Sequence, residues 1–140
     1  MGRQFYGKSV LVTGGARGIG ASIASAFASE GATVFINYHN SHAKAMQLSK
    51  KLGGFSIKAD VSSAGDVERM KRFVLAKTGG KLDVLINNAG DIDWVSSYQD
   101  ITEKMWDRVV NTNLKGTFLC TKAFAPAMAR QKQGAIVNSF

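Results

Sequence analysis

Cysteine and proline are nearly missing: Cys120 and Pro126 are the only examples in 140 residues. A lone cysteine excludes a disulfide framework and any cluster of cysteine ligands, and it fits a reducing cytoplasm. Cys120 itself reads as a small apolar filler in a helix. One proline against 15 glycines, with no three-residue repeat, excludes collagen and proline-rich linkers and predicts many tight turns. No apolar run is long enough to span a bilayer. The opening MGRQFYGKSVLVTGG has neither the apolar core nor the cleavage site of a signal peptide, and Tyr6 breaks the myristoylation pattern that Met1-Gly2 begins. The expectation is a cytoplasmic protein with no membrane partner. Acidic residues are also scarce, 10 against 18 Lys and Arg, for a net charge of +8. That balance favours anionic partners such as nucleic acid, phosphorylated cofactors or acidic carrier proteins. The cations are scattered, however. The nearest thing to a cluster is Lys44, Lys50, Lys51 and Lys58, without interleaved aromatics, so nucleic acid is the disfavoured partner.

Short apolar runs alternate with helical patterns. Lys8–Thr13, Thr33–Asn37, Phe55–Ala59, Leu82–Ile86 and Ala135–Val137 read as strands, the first as a buried parallel one. Between them, Ile19, Ile23 and Phe27 mark a first helix that Gly31 closes. Ala45, Leu48 and Leu52 mark a second, capped by Ser41 and ended by Gly53-Gly54. Val67, Met70, Phe73 and Val74 mark a third, ended by Gly79-Gly80. The spacing predicts one long helix over about Thr102–Ala129, with Thr102 as cap and with Trp106, Val110, Asn113, Leu114, Thr117 and Phe118 on one face. Pro126 is expected to bend or end it. Five strands alternating with four helices predict an α/β fold, a doubly wound parallel sheet, as one domain over 1–140. Ligands of such sheets bind beyond the carboxyl ends of the strands.

The first strand runs into Thr13-Gly14-Gly15-Ala16-Arg17-Gly18-Ile19-Gly20. A glycine-rich turn from strand to helix lets backbone N–H groups approach a pyrophosphate, and the helix dipole favours the same anion. The spacing is G-x-x-x-G-x-G, not the more familiar G-x-G-x-x-G. Where NAD-binding folds carry an acidic residue for the ribose 2′-OH, this chain reads Asn37-Tyr38-His39-Asn40, with no carboxylate. Arg17 can meet a 2′-phosphate with a charge-assisted fork. The expectation is NADP(H) in preference to NAD(H), with Tyr38 and His39 at the 2′ end. A solvated arginine and a plain loop histidine are the bland alternatives.

The turn, together with Asp60-Val61, Asn87-Asn88-Ala89-Gly90 and Asn113-Leu114-Lys115-Gly116-Thr117-Phe118, resembles the short-chain dehydrogenase/reductase family, and within it the branch of 3-oxoacyl-acyl-carrier-protein reductases and sugar dehydrogenases. The resemblance covers the whole chain. It implies a Rossmann-type sheet, a nicotinamide cofactor and reversible reduction of a carbonyl, on a small-molecule or acyl-carrier-bound substrate. By it, Gly14, Arg17, Gly18, Ile19 and Gly20 form the pyrophosphate turn, and Asp60 and Val61 meet the adenine. Asn87, Ala89 and Gly90 line the ribose and nicotinamide side. Asn88 instead ties the strand end to neighbouring backbone. Asn113 is the one residue assigned to the catalytic set, holding a water that links a catalytic lysine to solvent; the alternative is a structural polar contact. Relatives commonly pair the long helix in homo-oligomers.

The family's serine and Tyr-x-x-x-Lys are not in these 140 residues. The tyrosine serves as general acid toward the carbonyl oxygen. The serine would be expected at position 141, so Ser139 is a near miss, and Tyr6, Tyr38 and Tyr98 lie outside any Tyr-x-x-x-Lys. The expectation is therefore a sheet cut short after its fifth strand and a chain inactive by itself: a piece of a reductase or, alternatively, a non-catalytic NADP-binding module. No metal ligand set stands out. Asp91-x-Asp93 reads as a solvated loop. Asp91 also departs from the small or aliphatic residue that follows N-N-A-G in relatives.

Overall fold

The computed structural model describes residues 3–139; Met1, Gly2 and Phe140, and with them the start of the myristoylation pattern, lie outside the described residues. The strands are β1 (Ser9–Val12), β2 (Thr33–Tyr38), β3 (Phe55–Lys58), β4 (Val84–Asn87) and β5 (Ala135–Asn138). They form one parallel sheet in the order β3-β2-β1-β4-β5. The helices are α1 (Gly18–Ser29), α2 (His42–Leu52), α3 (Ala64–Thr78), α4 (Glu103–Val110) and α5 (Gly116–Gln131).

The period-2 pleat divides the apolar strand residues between two faces. Val10, Val12, Val34, Ile36, Val84 and Ile86 pack with Ala24 of α1 and Ala45 of α2. Leu11, Phe35 and Leu85 pack with Met70 and Val74 of α3 and with Cys120, Phe124 and Met128 of α5. Complete burial of a Leu or Phe side chain contributes about 2 kcal/mol or more, so these two clusters hold the layers together. Cys120 is inside the second cluster, and burial pushes its thiol up to about 12.

The helix ends follow the glycines. Gly53 and Gly79 cap α2 and α3 in the left-handed region, at φ of 68° and 66°. Ser63 caps α3, its Oγ accepting from Asp66 N, and Thr102 caps α4, its Oγ1 accepting from Met105 N. Ser41 occupies the cap position of α2 without a side-chain bond.

The helix expected over about Thr102–Ala129 is present, helical without a break from Glu103 to Gln131, but its regular period is corrected. Between α4 and α5 the chain makes a π-helical turn over Asn111–Lys115, in which Gly116 N donates to Asn111 O. One extra residue is accommodated there, which shifts the face of everything after it. Leu114 and Phe118 do not join the core and are 68% and 58% exposed; Trp106, ahead of the turn, is 62% exposed. Nor does Pro126 end α5, which continues to Gln131 because Phe124, Ala127 and Met128 around it are buried against the sheet. A missing backbone bond weighs less than that packing.

The sheet grows in one direction from β1 through β2 to β3. The chain then crosses back and adds β4 on the other side of β1. Connections leaving the carboxyl ends of β1 and β4 therefore diverge, and a crevice opens between them.

Candidate functional site

That crevice is a cleft of about 680 Å³, lined by residues from the ends of the first four strands. Its middle is the turn after β1. Gly14 takes φ +60°, and a Cβ there would stand 2.9 Å from Ala89 Cα, so two backbones touch at this point. A Cβ on Gly20 would fall 2.2 Å from Gly14 O and 2.6 Å from Asn88 Nδ2. Only glycine lets α1 sit this close to the turn that precedes it. Gly18, also at positive φ, has nothing within 4 Å of its ideal Cβ position and leaves the cleft floor open.

Helix α1 starts without a side-chain cap, and its first turn has no acidic residue. Its first donor is Ala21 N, bonded to Arg17 O at 3.2 Å. The N–H groups of Gly18, Ile19 and Gly20 lie ahead of that bond and have no helical acceptor. They form an anion-ready corner at the cleft floor, with the exposed Arg17 beside it.

The corner is braced by buried polar side chains that close apolar strands. Asn37, at the end of β2, accepts from Gly14 N through Oδ1 at 3.2 Å, and its Nδ2 donates to Ile57 O and Ala59 O. It thus ties three strand ends together. Thr13 Oγ1 donates to Ile86 O and accepts from Asn88 N and Ala89 N at 3.0 and 2.9 Å. Asn88 Nδ2 donates to Thr13 O and Gly14 O. Asn88 has the tying role expected of it. Thr13 and Asn37 were not singled out as braces in the sequence, yet the same reasoning finds them: a polar residue closing an apolar strand needs partners once buried.

Beyond β2 and β3 the lining comes from Tyr38, His39, Asn40, Ser41, Ala59, Asp60 and Val61. Tyr38 is buried, its hydroxyl paired with His42 Nδ1. Asp60 Oδ1 accepts from Ser62 N and Ser62 Oγ at 2.9 and 2.7 Å, which leaves Oδ2 as its second acceptor. Asp60 N donates to Asp66 Oδ2 at 2.8 Å, and this bond, helped by the nearby Arg69, holds the Asp66 carboxyl below the usual carboxylate range.

On the opposite side, Asn88 to Ile92 and Thr112 close the cleft. Asn113 lies in the π turn behind this wall. Its Oδ1 accepts from Asp91 N at 2.7 Å and its Nδ2 donates to Asp91 O at 3.0 Å, a two-point clamp on the loop backbone. Asn113 O accepts from Thr117 Oγ1 at 2.8 Å. The structural polar contact is therefore present, and its partner is a loop 22 residues away in sequence.

Of the expected cofactor residues, Gly14, Arg17, Gly18, Ile19, Gly20, Tyr38, His39, Asp60, Val61, Ala89 and Gly90 all line this one cleft. Asn87 does not. It is buried at the end of β4, its Nδ2 donating to Thr121 Oγ1 and Asn138 Oδ1, so it joins β4 to α5 and β5. The Asp91-x-Asp93 loop faces solvent as expected, with Ile92 and Trp94 exposed, and both its carboxylates pair with Arg108 of α4. Among the described residues no three His, Cys, Asp or Glu side chains gather as a metal site.

Comparisons with known proteins agree with this geometry. Residues 8–139 match the family model described as short chain dehydrogenase. The chain is 44% identical over 136 residues to the 3-oxoacyl-acyl-carrier-protein reductase FabG of Staphylococcus aureus, covering 94% of this chain and 54% of that protein. The corresponding reductase of Staphylococcus epidermidis is 43% identical, with 55% of its length covered. The chain thus spans about half the length of these curated relatives. Among solved structures, a metagenomic short-chain oxidoreductase in complex with NADP superposes with a TM-score of 0.84 at 34% identity, covering 96% of this chain and 62% of that one. A short-chain alcohol dehydrogenase described as putative, from Sinorhizobium meliloti, gives 0.82 at 36% identity, with 97% and 55% covered.

Proposed function

Because the chain belongs to the short chain dehydrogenase family, we propose that it is the coenzyme-binding part of an NADP(H)-dependent oxidoreductase that interconverts a ketone and a secondary alcohol. The observation that carries this reading is the uncapped start of α1 over an open glycine floor, in a cleft with Arg17 on its rim and no carboxylate at the end of β2. The free N–H groups of Gly18, Ile19 and Gly20 bind the diphosphate. Arg17 binds the 2′-phosphate, with Tyr38 and His39 beside it. Asp60, through its remaining acceptor, and Val61 receive the adenine, and Ala89 and Gly90 line the nicotinamide side. Asn113 keeps its assignment to the catalytic set as the residue that holds a water. When bound, the coenzyme supplies or accepts the hydride equivalent.

The branch resemblance and the staphylococcal relatives favour an acyl chain carried on an acidic carrier protein as substrate, met by a protein of net charge +8. These residues include no Tyr-x-x-x-Lys, so by itself the chain binds coenzyme without turning it over. We also assign the assembly to self-association through the exposed side of 102–129, where Trp106 and Phe118 lie uncovered.

Titration calorimetry tests the cofactor assignment. NADPH binds more tightly than NADH, and Arg17→Ala narrows the difference by roughly ten-fold, the worth of one charge-assisted contact. Equal affinities in the unaltered chain would overturn it.

A further inference from the structure

Asp91 is held from four directions. Asn113 clamps its backbone N–H and C=O, Ile92 N donates to its Oδ1 at 2.9 Å, and Arg108 Nε sits 2.8 Å from its Oδ2. The same guanidinium reaches on through NH2 to Asp93 Oδ1. One arginine on a rigid helix thus fastens two carboxylates of a loop that has no regular structure of its own. Isolated surface ion pairs contribute little, but a fork shared by two fixed acceptors orders what it grips. Asp93 Oδ2 is buried without a hydrogen-bond partner, which makes Arg108 the sole compensation for that carboxylate among the described residues.

Asp91 and Ile92 are wall residues of the cleft, on the β4 side of the glycine turn. If the diphosphate occupies the turn and the adenosine half lies toward β2, where dinucleotide folds place it, the nicotinamide half and the reacting carbonyl lie against this wall. We infer that Arg108 is a positioning residue: by bridging Asp91 and Asp93 it fixes the wall formed by Asp91 and Ile92, and so sets the width of the nicotinamide and substrate end of the cleft. The inference rests on the coenzyme reading for that last consequence. Arg108 acts through the loop and touches neither ligand, and Asp91, which it grips, is the residue in which this chain departs from the small or aliphatic one expected after N-N-A-G.

The test combines hydrogen exchange with two ligand probes. In Arg108→Gln, exchange at the amides of residues 91 and 92 speeds up by roughly five-fold, the scale of a modest ion-pair network, while exchange in the β-sheet is unchanged. NADPH binding weakens by a similar factor, and adenosine 2′,5′-bisphosphate, which fills only the adenosine half, binds as before. The double variant Asp91→Asn/Asp93→Asn separates position from charge. It removes two negative charges that would repel an anionic ligand, yet it too loosens residues 91 and 92 and weakens NADPH. Unchanged exchange in Arg108→Gln, tighter NADPH binding in the double variant, or an equal loss for both probes would each overturn the inference. A wild-type chain that took up neither probe would sink the coenzyme reading alone, because the exchange rates would still uphold or overturn the strut.

Discussion

The wall of the cleft that follows β1 and the wall that follows β4 meet at Gly14 and Ala89, yet different forces hold them. The first is a matter of backbone sterics. Gly14, Gly18 and Gly20 lie within seven consecutive residues, and what they contribute is the absence of a Cβ. The second is a matter of side chains arriving from elsewhere. Thr13 binds the amides of Asn88 and Ala89 from 75 and 76 residues away, and Asn113 and Arg108 hold Asp91 from another helix. The first wall is backbone in close contact, and at Gly14 it is braced by Asn37 and Asn88 from other strand ends. A wall made of side-chain ties is as stiff as its ties.

The contrast predicts unequal damage. The largest effect is at Gly20: its substitution by Ala drives a methyl group into Gly14 O and separates α1 from the turn. We expect a loss of roughly 2–4 kcal/mol of stability, read as the urea midpoint, together with loss of coenzyme binding by calorimetry. A Gly20→Ala protein of unaltered stability would mean that the two backbones do not press on each other.

Next is Asn113→Ala. It leaves Asp91 N–H and C=O without their clamp, in a place that water can reach, so the stability change is about 1 kcal/mol. Coenzyme affinity is expected to fall more than that figure implies, because the loss is concentrated in one wall. The smallest effect lies outside both walls, in the segment after β3, where a side chain holds the backbone at Asp60. The Asp66 carboxyl, depressed by the Asp60 N–H bond, contributes stability above the ordinary carboxylate pKa of about 3.9 and loses it as the pH falls through its lower folded value. Unfolding of wild type and Asp66→Asn across that range should show a shallower acid limb in the variant.

The strands, the first three helices and the glycine turn were legible in the sequence, because each is set by near neighbours: apolar runs of four to six residues, a cap, a closing glycine. What was not legible has a common cause. The π turn at Asn111–Lys115 interrupts the regular period inside one continuous helix, and Leu114 and Phe118 are exposed where a uniform helical period placed them with Val110 and Thr117. Asn87 sits in the motif that lines the cleft, but its side chain serves the β4–β5 junction. That Arg108 would pair with both Asp91 and Asp93 was not legible either, because nothing within the segment 87–101 shows it.

Amino-acid order alone settled the alternation of strand and helix and the three glycine positions, since steric exclusion and hydrophobic periodicity act between residues a few places apart. Only the folded arrangement decided which polar groups meet: that Asn37 would gather three strand ends, that Asn113 would hold a loop, and that one guanidinium would join two carboxylates. Hydrogen bonds and ion pairs are short-ranged and directional, so their partners are fixed by where the sheet and helices bring the chain, not by where residues stand along it.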